Sequence, residues 1–173
     1  RYGETDVRTS DALYELATAA HMTGDYRDAK PLFDQWLATT RRQSPRLTPE
    51  RAAQLGTLSM IYQISRRLPE AERLSRETIA LLTAIYGPAH SRVGVELSHL
   101  GGIIDLQGDS IRADSIHRAA VALLRRAYPA GSTALAGALR NLGYNLTTRG
   151  LYDEAEAVWA ESAAMYAKDG KAT

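Results

Sequence analysis

Shifted by 42 residues, the sequence falls into register with itself, and this constrains the fold more than any other feature. One column reads Leu13, Leu55, Leu97, Leu139; a second reads Leu16, Leu58, Leu100, Leu142; a third reads Ala29, Ala71, Ala113, Ala155. For a residue type making up about a tenth of a chain, three further chance matches arise about once in a thousand, and three such columns share one register. A fixed period of this length belongs to stacked repeats, in which each unit buries its apolar surface only against its neighbours.

The columns between these leucines and alanines describe a helix pair. Leu13, Leu16 and Ala20 form a stripe at i, i+3 and i+7, repeated by Leu55-Leu58-Tyr62, Leu97-Leu100-Ile104 and Leu139-Leu142-Leu146, which is the spacing of one helix face. The pattern predicts first helices near Ser10–Met22, Glu50–Ser65, Ser91–Gln107 and Ser132–Arg149. Second helices are expected near Tyr26–Arg42, Pro69–Ala84, Ser110–Ala127 and Tyr152–Lys168. Gly24, Gly108 and Gly150 stand where the first helix needs a positive-φ stop, and Arg66 takes that place at a cost. Asp25, Asp109 or Asp153 then caps or favours the following turn. Between units, Pro45, Pro49, Gly87-Pro88 and Pro129 with Gly131 end helices, while Thr48, His90 and Ser132 lie at the next start. The expected fold class is therefore all-α: a right-handed α-solenoid of antiparallel helix pairs with a 42-residue period and about four repeats, covering residues 1–173 as units near 8–45, 49–87, 91–129 and 132–169.

Composition narrows function mainly by exclusion. Lys plus Arg (21) nearly balances Asp plus Glu (20), so no bulk field draws in nucleic acid or an anionic membrane. With no cysteine, disulfides, thiolate nucleophiles and Cys-based metal sites are absent. No run approaches the roughly 18 apolar residues that span a bilayer. The chain begins Arg1-Tyr2-Gly3, and Tyr2-Gly3 shares its phase with Tyr86-Gly87; the expectation is a processed or excised segment preceded by further repeats. A cytoplasmic location is expected. There is no phosphate-cradling glycine loop and no HExxH; Gly101-Gly102 lies inside a helix pattern, and serines at helix starts read as caps. No catalytic residue, metal site or cofactor is expected, and the segment is not read as an enzyme.

Leu139, Leu142-Gly143, Gly150, Tyr152 and Ala155, like Leu13, Leu16-Ala17, Gly24, Tyr26 and Ala29, follow a pattern of leucine, leucine–small, glycine–any–tyrosine and alanine. In this the chain resembles tetratricopeptide repeats, and among them the 42-residue variety of kinesin light chains and bacterial multi-domain regulators. The linker Tyr86-Gly87-Pro88-Ala89-His90-Ser91 is similar to that family's connector, with Ser91 in place of its proline. The third unit departs from the pattern: Gly101 occupies the small position, but Gly102 is extra and costs about 1 kcal/mol of helix stability, and Ser110 replaces the hinge aromatic. The resemblance implies a binding scaffold, and one scaffold serves many unrelated partners.

In such a stack the first helices line the concave wall. The peptide-binding candidates are Tyr14, Thr18 and His21; Met60 and Gln63, beside Gly56; His99 and Asp105, beside Ser98 and Gly102; and Arg140, Asn141 and Tyr144, beside Thr147. Tyr and Met offer adaptable apolar contact, and Gln63, Arg140 and Asn141 can hydrogen-bond a peptide. The resemblance singles out Asn141, which matches the family's backbone-holding asparagine, although Glu15, Thr57 and His99 occupy its column elsewhere. Against this stand plainer readings: Tyr14, Met60 and Tyr144 as seam residues, and His21 and His99 as surface or cap residues too separated for a metal. Lys30, Lys168 and Lys171 lie outside the first helices, which disfavours capture of a C-terminal carboxylate. The pairs Arg41-Arg42, Arg66-Arg67 and Arg125-Arg126 read as a solvated rim.

Two functions compete. One is a protein-interaction module binding a peptide or helical segment in its concave groove, from another protein or from other domains of the parent chain. The other is a structural spacer or self-association segment of a larger multi-domain regulatory protein. A third and weaker idea is a sensor whose superhelical pitch responds to a ligand.

Overall fold

The computed structural model describes residues 7–42 and 48–169. Every regular element among them is a helix: α1 (Val7–Met22), α2 (Tyr26–Arg42), α3 (Pro49–Ile64), α4 (Leu68–Tyr86), α5 (Ser91–Leu106), α6 (Ser110–Ala127), α7 (Thr133–Thr148) and α8 (Tyr152–Asp169). They form four antiparallel pairs, an all-α solenoid in which each pair is one 42-residue repeat. Two compact units are distinguished, one within residues 1–46 holding α1 and α2, the other within 47–173 holding α3 to α8.

The helix boundaries follow from local chemistry. Thr48 Oγ1 accepts from the Arg51 amide at 3.2 Å, Ser132 Oγ from Leu135 at 3.1 Å, and Asp109 Oδ1 from Arg112 at 3.1 Å. His90 caps α5 through Nδ1, 3.2 Å from the Arg92 amide, and Asp25 Oδ1 accepts from Asp28 at 3.3 Å. Each cap satisfies one of the orphan amides of a helix start. Asp153 does not cap; it lies within the first turn of α8, where its charge suits the helix dipole.

The turn inside every repeat has one left-handed residue at the same phase: Gly24 at φ 84°, Arg66 at φ 60°, Gly108 at φ 89° and Gly150 at φ 77°. For a side chain with a Cβ this conformation costs roughly 1–2 kcal/mol. Arg66→Gly is accordingly expected to stabilise the protein by about 1 kcal/mol, the relieved strain being partly offset by glycine's larger unfolded-state entropy. Arg66→Ala keeps the strain and should change little. Urea denaturation of the two variants checks this, and equal midpoints would contradict it.

Packing within a pair depends on a size match that recurs with the repeat. In the column Ala17, Ser59, Gly101, Gly143, the two glycines lie against His117 and Trp159, which share the column of Phe33 and Ser75. A Cβ added at Gly101 would lie 2.5–2.7 Å from three ring atoms of His117, and one added at Gly143 would fall inside the Trp159 indole. Where the second repeat has serines instead, Ser59 Oγ donates to the Ala71 carbonyl at 2.8 Å. Between pairs, Leu82 meets Val93 and Ala52 in one apolar cluster. In the next, Val121 and Leu124 meet Leu135, Ala138, Leu139 and Leu142. Ion pairs tie successive second helices together on the outside, Glu72 with Arg112 at 3.4 Å, Arg118 with Glu154 at 2.6 Å and Arg125 with Glu161 at 2.5 Å. Arg125 of the expected rim is thus engaged between α6 and α8, while the side chains of Arg41 and Arg42 lie outside the described residues. The side chains of Lys168 and Lys171 lie outside them too.

Candidate functional site

In the first unit, the Tyr14 ring packs 6.1 Å from Phe33 and 5.1 Å from Trp36. Its half-buried position is therefore inside the α1–α2 seam, as the plainer reading had it. Thr18 and His21 are also half-buried on α1.

In the second unit, α3, α5 and α7 form one row. Asn141 Nδ2 donates to Ser98 Oγ at 3.1 Å across α5 and α7. The place of a Cβ on Gly56 lies 3.5 Å from Glu96 Oε2 across α3 and α5. Met60 is 46% exposed and Tyr144 60%, and Tyr144 stands edge-on to Trp159 with centroids 5.6 Å apart. The middle member of their column is Gly102, whose missing side chain would meet only Gln63 Nε2, at 3.8 Å. Unlike Gly101, it is not required by packing, and it places no side chain between Met60 and Tyr144 in that column. Ile64 (71% exposed) and Leu106 (42%) extend this apolar surface. Sequence reasoning missed both, yet they follow Met60 and Gly102 by four residues and so share their helix face. Arg140 is exposed and its carbonyl accepts from Trp159 Nε1 at 3.2 Å. Thr147 bonds back to the Gly143 carbonyl at 2.9 Å.

Two polar clusters lie beneath this face. Asp105 joins three helices: its Oδ2 is 2.9 Å from His117 Nε2 of α6, and its Oδ1 accepts from Asn145 Nδ2 of α7 at 2.6 Å. Asn145 also donates to the Ser110 carbonyl at 2.8 Å. His117 and Asn145 are each 1% exposed, so this histidine serves packing and is out of a substrate's reach. The second cluster centres on Glu96, buried, whose Oε1 accepts from Ser75 Oγ at 2.7 Å. Its Oε2 lies 3.6 Å from His99 Nδ1. Neither Glu96, His117 nor Asn145 was a sequence candidate, though His117 and Asn145 each break the apolar or small character of their repeat columns.

The Glu96 carboxylate raises the pKa of His99 above its ordinary value of 6.5, outweighing the effect of burial. A raised folded-state value means that the stabilisation from protonated His99 is fully present below the unfolded value, near 6.5, and is lost as pH rises through the folded one. In an NMR titration the His99 midpoint should lie above 6.5 in the native protein and fall in Glu96→Gln. An unchanged midpoint would contradict the pairing.

Among the described residues no group of three or more His, Asp or Glu side chains is placed to hold a metal ion, and no helix is long and apolar enough to cross a membrane. A sequence profile of the tetratricopeptide repeat matches residues 51–92 and 135–168. Over 94% of its length the chain superposes, with a TM-score of 0.81 and 19% identity, on 76% of a kinesin-light-chain-type protein with nearly identical TPR-like repeats from Podosopora anserina. The chain has a tetratricopeptide-like repeat fold. Its array also resembles BtubC (BKLC) from P. vanneervenii, at a TM-score of 0.81 and 20% identity, covering 93% of this chain and 64% of that one. The corresponding values for MamA are 0.69 and 17%, with 96% and 83% covered. At such identities the likeness speaks to fold. No curated protein sequence matches the tetratricopeptide-like chain significantly.

Proposed function

We propose that this chain is a protein-interaction module that binds a peptide or helical segment along its first-helix face. The observation carrying this reading is the group Met60, Ile64, Leu106 and Tyr144, all substantially exposed on one row of helices and surrounding the side-chain-free position Gly102. Apolar groups gathered on one surface, with hydrogen-bonding side chains such as Gln63, Asn141 and Arg140 between them, have the makeup of a binding site rather than of bland solvent-facing helix. The near-balance of charge favours a protein over nucleic acid as partner. That partner is a segment of another protein or of the parent chain. His99 and Asp105 remain candidates for contact at the margins of the face, and Tyr14, Thr18 and His21 are candidates within the first unit taken by itself.

Selection of dodecapeptides from a display library on this chain tests the reading. Selected peptides should lose about tenfold or more in affinity for a Met60→Ala, Tyr144→Ala variant of unchanged helicity, because exposed anchors of this type each contribute more than about 1 kcal/mol. Selection that yields only binders indifferent to this variant would favour the spacer or self-association reading.

A further inference from the structure

The two gullies in the row α3, α5, α7 differ in chemistry although the repeat equates them. Between α5 and α7, Asn141 reaches Ser98 at 3.1 Å, and the position one helical turn before it is Ala138, which is buried. At this level that gully holds no charged group and is closed by a side-chain hydrogen bond, the Asp105 carboxylate lying further along α5. Between α3 and α5 the equivalents are His99, Gly56 and Glu96. The ring that fills this level of the fold elsewhere, as Phe33, His117 or Trp159, is Ser75 here. The Glu96 side chain reaches toward that place from the next repeat, to accept from Ser75 Oγ at 2.7 Å.

Its second oxygen takes no such bond. Glu96 as a residue is 7% exposed, but Oε2 is not sealed from solvent, so a donor from outside can reach it. Oε2 has His99 Nδ1 at 3.6 Å, beyond hydrogen-bonding distance. Gly56 supplies no side chain to cover it, a Cβ there coming only to 3.5 Å. One turn along α3 from Gly56 stands the exposed thioether of Met60, a surface on which the aliphatic stem of a long basic side chain can lie. Of the exposed arginines of the row, Arg92 on α5 is engaged with Tyr86 Oη at 2.9 Å, and Arg140 is on α7, beyond α5 from this gully.

Resting on the binding reading above, we infer that the α3–α5 gully selects a lysine or arginine of the bound peptide, its charged head donating to Glu96 Oε2 over Gly56. The bound cation completes the coordination that His99 approaches but does not make. The same carboxylate favours the protonated form of His99.

The test uses the dodecapeptides selected on the native chain, each paired with a version in which its basic residue is glutamine, measured against native protein, Glu96→Gln and Gly56→Ala. Glu96→Gln retains the acceptor for Ser75, and Gly56→Ala adds a methyl at ordinary contact distance that covers Oε2. The expected result is enrichment of Lys or Arg at one peptide position, and about a tenfold loss on either protein variant. The glutamine peptides should bind all three proteins alike, and only the basic peptides should shift the His99 ring signals in NMR spectra. Peptides that depend on Met60 and Tyr144 but bind Glu96→Gln as tightly as native protein would overturn this inference and leave the binding face standing. If no selected peptide depends on Met60 and Tyr144, the binding face falls and this inference falls with it.

Discussion

Asp105→Ala is expected to destabilise the protein by about 3 kcal/mol, a large effect for a carboxylate that reaches solvent. The carboxylate accepts from His117 Nε2 and Asn145 Nδ2, on two different helices, and both of those side chains are 1% exposed. Its removal leaves the His117 Nε2–H without an acceptor, and a buried donor so orphaned costs about 1–3 kcal/mol. Asn145 keeps its bond to the Ser110 carbonyl, which limits its share, and water entering from the exposed side of Asp105 limits the total. Asp105→Asn preserves shape and one acceptor oxygen and should lose only about 1 kcal/mol. Since the three residues act as one network, Asp105→Ala and Asn145→Ala should be non-additive in a double-mutant cycle, by about 1 kcal/mol or more. Additive losses in chemical denaturation would show that the hydrogen bonds between α5, α6 and α7 do not work together.

Gly101→Ala and Gly102→Ala, neighbours on the same helix, are expected to have opposite signs. Both gain helix propensity, about 1 kcal/mol each. At Gly102 nothing but the Gln63 amide lies near the new methyl, at 3.8 Å, so the gain should appear whole as stabilisation. At Gly101 the methyl would lie 2.5–2.7 Å from the His117 ring, which is held by Asp105 and enclosed on all sides. Overpacking of this kind costs about 1–3 kcal/mol, and any shift of the ring also weakens its bond to Asp105. A net destabilisation of about 2 kcal/mol is expected. Combining Gly101→Ala with His117→Ser puts small residues at both positions, as the second repeat has Ser59 and Ser75, and should recover most of the strain component. Stabilisation by Gly101→Ala, or no coupling to His117, would refute the size match between these columns.

The contrast between those glycines shows how far a repeat can be read without coordinates. The recurrence of Leu13, Leu16 and Ala29 through four units located the helix pairs to within a few residues, because seam packing demands the same residue at the same phase. The same phase logic placed Gly101 at a required small position and marked Gly102 as surplus. What it could not supply was the identity of partners across a seam. Asn145 interrupts the column Ala19, Ile61, Ile103 and stands out in an aligned repeat, whereas Glu96 shares its column with the polar Gln54; their bonds to Asp105 and Ser75 depend on where neighbouring helices come together. Tyr14 illustrates the reverse limit. Its column places it on the first-helix face, yet a large ring beside Phe33 and Trp36 gains more by turning into the seam than by standing in water. Ile64 and Leu106 were passed over because position was counted from the first leucine of each unit, whereas the exposed face runs on for one more turn.

A partner on the proposed row Met60, Ile64, Leu106 and Tyr144 around Gly102 would leave a direct mark on those side chains. Methyl and aromatic NMR of the chain, labelled at Met, Ile, Leu and Tyr and titrated with a selected dodecapeptide, tests for that mark most directly. Shifts are expected to concentrate at Met60, Ile64, Leu106 and Tyr144, with Ile111, Leu123 and Tyr152 on the second helices unmoved. Shifts centred on the second helices, with those four residues unchanged, would contradict the binding reading.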